Sequence, residues 1–345
     1  MLTFKLNNEP TNDLLQVQKH SVWNLCQIGK RLNNTNSIKL IIMKKYILTI
    51  IGIILFISVH AEERYIVTSD NVKLYVNVKG KGTPCLYIHG GPGSGSFWLE
   101  RFFGDYLEQN FQMVYLDQRG VSRSSSPEDG NYSMDRMLKD FEEVRVALGI
   151  DQWITLGHSF GGILQMGYAE NYPDANAGMI MVNATINIKK SICESWIPKA
   201  SEFLGTEKIA PCSDEYTQVF ESVSDLIGKL NEQGIMWKMG YANQENEIEM
   251  SSTFAEIPNW NWDFGARAMA MKDYWTDYTK STSVIKTPVL FFYGETDWMI
   301  GPDHYKDAHF PNIILWSSNV GHMPFMENKP DLKKAINSYI EKYNF

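Results

Sequence analysis

The sequence predicts an α/β fold: an eight-stranded, mostly parallel sheet with helices on both faces and a helical cap inserted late in the chain. Three observations carry that expectation. From Arg64 onward, short apolar runs rich in β-formers alternate with stretches of helical periodicity. The alternation breaks only once, between Ile186 and Ser283. At Gly157–Gly162 an apolar strand passes into a helix through a glycine-rich junction, which demands a tight turn.

Taken in order, strands are expected near Arg64–Thr68, Leu74–Val78, Cys85–Ile88, Met113–Leu116, Trp153–Leu156, Met179–Val182, Val289–Tyr293 and Ile313–Trp316. The first two read as a hairpin joined through Asp70-Asn71. The later ones are short and nearly all apolar, as strands covered on both faces should be. Helices fit between them near Trp98–Glu108, Met134–Leu148, Gly161–Asn171 and Pro330–Lys342. A structureless loop spanning 186–283 would be out of keeping with a compact domain, so this segment is expected to be a mostly helical cap. Residues 62–185 and 284–345 then form the core.

The 345 residues suit one large core with an insertion better than two independent domains. A hydrophobic fraction of 44% with 21% charged residues is that of an ordinary globular chain and argues against a disordered one. With a formal charge of −8 and no long Lys/Arg run, nucleic acid is excluded as an expected partner.

Met43 to Ala61 has the three parts of a secretory signal: Lys44-Lys45, the apolar run Tyr46–Val59, and the small-residue site Val59-His60-Ala61. A buried strand or an uncleaved anchor is the alternative. Residues 1–42 then read as an upstream extension, with Met43 as the start. Cleavage after Ala61 leaves 25 Lys/Arg against 38 Asp/Glu, a formal charge of −13. An exported protein, periplasmic or secreted, with no stable membrane span is the expectation. Cys26 would be lost, Cys85 sits in an apolar strand as a small core residue, and Cys193 and Cys212 either pair or stay free. No cysteine or histidine spacing suggests a zinc site.

The chemistry is expected at Gly157-His158-Ser159-Phe160-Gly161, a G-x-S-x-G run between strand and helix. On such a turn the serine oxygen projects above the sheet, and the amide of Phe160 at the helix start faces a developing oxyanion. Serine needs a base in hydrogen-bond reach, and the base needs an orienting acid. In the chain order Ser, acid, His, the strand at Val289 runs into Gly294-Glu295-Thr296-Asp297, and the last strand runs into a loop ending in His322. Ser159 is thus the candidate nucleophile, His322 the base and Asp297 the acid, with Glu295 and Asp303 as competitors for the acid. The second oxyanion donor is expected from His89-Gly90-Gly91-Pro92-Gly93, with Gly91 chosen. One such donor contributes about 3 kcal/mol to transition-state stabilisation. These features together define an α/β-hydrolase fold.

The His89–Gly93 run, Asp117-Gln118-Arg119-Gly120 with Ser122 and Ser124, and the serine elbow together resemble the proline iminopeptidase family, over roughly Tyr65 to Lys342. The resemblance implies hydrolysis of the peptide bond after an N-terminal residue, often proline, with carboxylates of the cap and rim holding the free amine. It also implies that Asp117 and Arg119 are structural. Trp262-Asp263-Phe264 is the nearest counterpart of the family's cap motif, and Trp298 stands where some relatives carry a glutamate. Trp196, Trp237, Trp260, Trp262 and Trp275, with Met236 and Met239, either line a pocket for an apolar or prolyl group or pack the cap onto the body. The substrate is expected to be a small peptide or an ester, and no metal or organic cofactor is implied. An esterase on the same machinery is the alternative function, and a binding protein that kept the fold is the rival from another class.

Overall fold

The computed structural model describes residues 62–206, 212–257 and 259–345. The expected signal and upstream extension lie outside the described residues. Among those described, no helix is long and apolar enough to cross a membrane.

All eight expected strands are present: β1 (Glu62–Val67), β2 (Lys73–Gly80), β3 (Thr83–Ile88), β4 (Phe111–Leu116), β5 (Trp153–Ser159), β6 (Asn176–Ala184), β7 (Val289–Gly294) and β8 (Ile313–Ser318). They form one sheet in the order β1-β2-β4-β3-β5-β6-β7-β8. β1 and β2 form the expected antiparallel hairpin, β2 runs antiparallel to β4, and every later pairing is parallel. β5 lies at the middle of the parallel part, so its C-terminal end opens at the centre of the sheet's edge, where ligands of open α/β sheets gather.

Strand alternation divides the core into two. Leu86, Ile88, Val114, Leu116, Met179, Met181, Val289 and Phe291 face one side. Cys85, Tyr87, Met113, Tyr115, Ile180, Val182, Leu290 and Phe292 face the other. The first side is covered by α2 (Met134–Ala147), which buries Met134, Met137, Leu138, Phe141 and Val144 at helical spacing. Beside it lies α3 (Gly161–Asn171), buried from Gly161 through Ala169, with its one buried amide side chain, Gln165, donating to the Thr155 carbonyl of β5 at 2.9 Å. The second side is covered by α1 (Phe97–Asn110) through Trp98, Leu99, Phe103 and Leu107, and by the C-terminal helix Lys329–Tyr343 through Leu332, Ala335, Ile336 and Tyr339. Each fully buried Leu, Ile, Val, Phe or Met among them contributes roughly 1.5–3 kcal/mol relative to exposure.

Between β6 and β7 the described residues form helices and short helical turns, chiefly α4 (Ile197–Phe203), α5 (Tyr216–Glu232) and α6 (Gln244–Ser252). One isolated bridge, Asn261 to Ser122, ties this lid to the loop after β4. Cys193 and Cys212 form a disulfide with Cα atoms 5.6 Å apart, so the pairing that sequence left open is made. Cys85 is wholly buried, and burial pushes its thiol pKa up.

Candidate active site

Ser159 is the last residue of β5, and its φ of +57° is a conformation that side chains other than glycine's rarely adopt. The turn is possible because its neighbours lack side chains. A Cβ at Gly161 would lie 2.2 Å from the Ile88 carbonyl oxygen, and one at Gly162 would lie 2.4 Å from that of Thr185. The Thr185 amide in turn donates to the Ser159 carbonyl at 3.0 Å. Phe160 begins the turn into α3, and its ring packs on Phe264 and Tyr274 of the lid.

The side chains of the candidate acid and the candidate base are in contact. His322 Nδ1 and Asp297 Oδ2 are 2.9 Å apart, both side chains almost wholly buried. The other carboxylate oxygen, Oδ1, accepts the amides of Met299 (3.0 Å) and Ile300 (3.2 Å). With Oδ1 occupied by backbone, the carboxylate presents Oδ2 to the ring in one orientation. Of the two competitors, neither Glu295 nor Asp303 bonds to His322; Asp303 pairs with Lys306 at 2.8 Å. Among the described residues no hydrogen bond joins the Ser159 hydroxyl to the His322 ring.

The backbone around His322 is instead tied to the elbow. His158 Nε2 donates to the His322 carbonyl at 2.9 Å, and Asn183 Nδ2 donates to the Gly321 carbonyl at 2.6 Å. Burial first, and the neighbouring His322 second, hold the His158 ring pKa down to about 3, so this histidine is neutral in ordinary buffers. Neither residue stood out in the sequence, because a backbone carbonyl more than a hundred residues away leaves no local pattern.

Gly91 has φ +111°, and a Cβ there would lie 2.6 Å from the amide nitrogen of Gly93. Gly90, which sequence reasoning passed over, is the glycine against the hydroxyl. A Cβ on it would lie 2.6 Å from Ser159 Cβ and 3.3 Å from Oγ. The loop is held from beneath. His89 Nε2 accepts the Gln118 amide at 3.1 Å, and Gln118 Nε2 donates to the His89 carbonyl at 3.1 Å. Burial lowers the His89 pKa to about 4, against the pull of Asp117.

Asp117 accepts from the Ser96 amide (2.7 Å), the Ser96 hydroxyl (2.8 Å) and Arg123 Nε (2.7 Å). Burial pushes this carboxyl up, but the Arg123 guanidinium and the Ser96 amide outweigh it and leave the pKa below the usual range. Arg119, with no exposed surface, grips Asp140 through Nε (2.6 Å) and Nη2 (2.7 Å) and Asp70 through Nη1 (2.9 Å). Asp117 therefore joins the segments of Ser96 and Arg123, and Arg119 joins the turn between β1 and β2 to α2.

A cavity of about 540 Å³ opens at His322, walled by Trp98, Trp237, Tyr241, Phe254, Met299 and the carboxylate residue Glu247. Of the cap aromatics, Trp237 lines this cavity, Trp260 stacks on Trp98 with ring centroids 5.1 Å apart, and Trp196 is buried in the core. Asp263 does not line it; its carboxylate bonds the Tyr132 hydroxyl and Arg267. A larger cavity, about 750 Å³, lies beside Trp298 and Lys199 and contains none of Ser159, Asp297 and His322.

Residues 83–203 match the α/β-hydrolase fold family. A proline iminopeptidase of Saccharolobus solfataricus is 32% identical to this chain over 87% of it and 97% of its own length. One from Arabidopsis thaliana is 29% identical over 56% of this chain and 48% of its own length, so the chain spans about half of that relative. Among solved structures, a proline iminopeptidase-related protein of Thermus thermophilus superposes with a TM-score of 0.68 at 21% identity, covering 82% of this chain and 98% of its own. That likeness shows the fold.

Proposed function

The chain belongs to the proline iminopeptidase family of α/β-hydrolases, and from that premise we propose that it is a serine hydrolase releasing the N-terminal residue of short peptides. The observation that carries the reading is the Asp297–His322 bond, formed at the sheet edge where β5 delivers Ser159 in a left-handed turn. Binding of substrate and rotation of the serine side chain bring the hydroxyl to His322 Nε2, a contact that often tightens only in the Michaelis complex. Ser159 Oγ attacks the carbonyl carbon, and His322 takes its proton. Asp297 keeps Nδ1 protonated and so leaves Nε2 free as the base. The amides of Gly91 and Phe160 receive the oxyanion. His322 then returns the proton to the departing amine, and water, deprotonated by the same ring, releases the acyl group.

The cavity at His322 supplies the rest. Trp98, Trp237 and Phe254 offer apolar faces to a prolyl or similar side chain, and Glu247 offers negative charge to a protonated amine. Asp263 is engaged elsewhere, and that favours an esterase as the second reading. We also read Met43–Ala61 as an export signal, which the Cys193–Cys212 disulfide supports, since such bonds persist in oxidising compartments.

The test offers purified protein a prolyl arylamide, its N-blocked form and a short-chain aryl ester. Cleavage of the free-amine amide alone supports the peptidase. Turnover of the ester alone supports the esterase, and no turnover together with no fluorophosphonate labelling of Ser159 rejects both.

A further inference from the structure

Glu327 closes the short helical turn Pro324–Glu327 that follows His322, and its carboxylate faces back toward that residue. Oε2 accepts the amide of Gly321 at 2.9 Å and Oε1 accepts that of Met323 at 3.1 Å, so one side chain holds the backbone on both sides of His322. Oε2 also accepts the amide of Ala242, a lid residue, at 3.0 Å. The fourth link is made by His322 itself, whose amide donates to the Gly240 carbonyl at 2.8 Å. Close approach is possible only because position 321 is glycine. A Cβ there would lie 2.9 Å from the Gly240 oxygen and 3.0 Å from Glu327 Oε1.

We propose that Glu327 is a positioning residue that latches lid segment 240–242 onto the loop bearing His322, so that docking of the lid and correct placing of the imidazole are one event. The proposal rests on the reading of His322 as general base. Three amides on one carboxylate make charge-assisted bonds, stronger than neutral ones and directional. If the lid segment lifts, the amides of His322 and Ala242 both lose their partners, and the backbone that aims the ring loses one of its fixed points. A lid that must seat to align the base also keeps the nucleophile quiet until substrate fills the cavity between them.

The experiment uses full-length protein carrying Glu327→Gln, which preserves side-chain volume at a half-buried site, with Glu327→Ala as the second variant. We measure kcat, KM, the rate of fluorophosphonate labelling, the melting temperature and amide hydrogen exchange. The expected result is a fall in kcat and labelling rate of about 10- to 100-fold, the effect of a displaced catalytic group. KM should change by a smaller factor than kcat, because Glu327 itself does not line the cavity and the lid segment contributes Gly240 and Tyr241 to a wall that the other lining residues share. Exchange should quicken at Ala242 and His322 as well as at Gly321 and Met323. Unchanged kcat, or protection lost at Gly321 and Met323 alone, overturns the proposal. If the parent protein neither turns over substrate nor takes the label, the functional reading fails, and exchange at Ala242 and His322 by itself decides whether the latch exists.

Discussion

His158 and His322 lie ring to ring, 4.7 Å between centroids, with His158 Nε2 donating to the His322 carbonyl at 2.9 Å. One is the residue before the candidate nucleophile and the other the candidate base. In the proposed acyl transfer the arrangement requires an uncharged His158, since a second positive ring would repel an imidazolium at His322.

Acid should therefore destabilise the fold well above the carboxylate range. Burial lowers His158 to about 3 and His89 and His304 to about 4, from 6.5 when unfolded. Between those values the unfolded chain binds more protons, so this stability is fully present above pH 6.5 and is lost as pH falls through 4. Urea midpoints measured from pH 7 to 4 should drop steadily. A flat profile would contradict burial of the three neutral rings.

Asp297→Asn should lower kcat by about 10⁴-fold, because an amide in place of the carboxylate no longer holds the imidazole in the tautomer that leaves Nε2 free. Folding should survive, as the Oδ1 position can still accept the Met299 and Ile300 amides. Steady-state kinetics beside circular dichroism reads both. Retention of more than a tenth of the parental kcat would return the acid's role to Glu295 or Asp303.

Gly90→Ala tests the wall of the nucleophile. The added Cβ would meet the His158 carbonyl oxygen at 2.7 Å and Ser159 Cβ at 2.6 Å, and both belong to the rigid elbow. A loss of kcat of about 10²-fold or more is expected from such displacement. Labelling by a fluorophosphonate should slow in parallel.

Arg119→Ala should unfold the protein more easily without touching the chemistry directly. Removing the guanidinium leaves Asp140 and Asp70 without their principal cation, and breaking a buried pair in this way costs about 3–5 kcal/mol. Denaturant unfolding would show it; a change below about 1 kcal/mol would mean that Arg136, also within 2.6 Å of Asp140, carries the load alone.

Loss of the lid staple is checked with Cys212→Ser. The bridge spans 19 residues, a loop whose closure is worth about 3 kcal/mol in the chain-entropy view. A lower melting point in the variant, matched by the parent in reductant, is the expected outcome. Free-thiol titration should find only Cys85 within the described residues of the oxidised parent, and only after unfolding.

The fold was legible because it rests on short-range periodicity. The nearly continuous apolar runs of β3 and β4 and the helical spacing of Met137, Leu138, Phe141 and Val144 are written in consecutive residues. So is the elbow, whose glycines are dictated by van der Waals contact with the chain next to them. Ser159, Asp297 and His322 could be chosen by position because each lies at or shortly after the end of a strand, and parallel strands deliver their ends to one edge.

What periodicity cannot encode is which partner a polar group finds across the molecule. The glycine in contact with the hydroxyl, the pairing of Asp263 with Tyr132, the engagement of His158 and Asn183 with the backbone around His322, and that of Glu327 with Ala242 were set by tertiary packing. Sequence alone determined the sheet, the elbow and the order of the three candidate groups, because local sterics and side-chain alternation suffice for those. Tertiary structure alone decided how the base is held, because a hydrogen bond to a distant carbonyl depends on distance in space and leaves no trace in spacing along the chain.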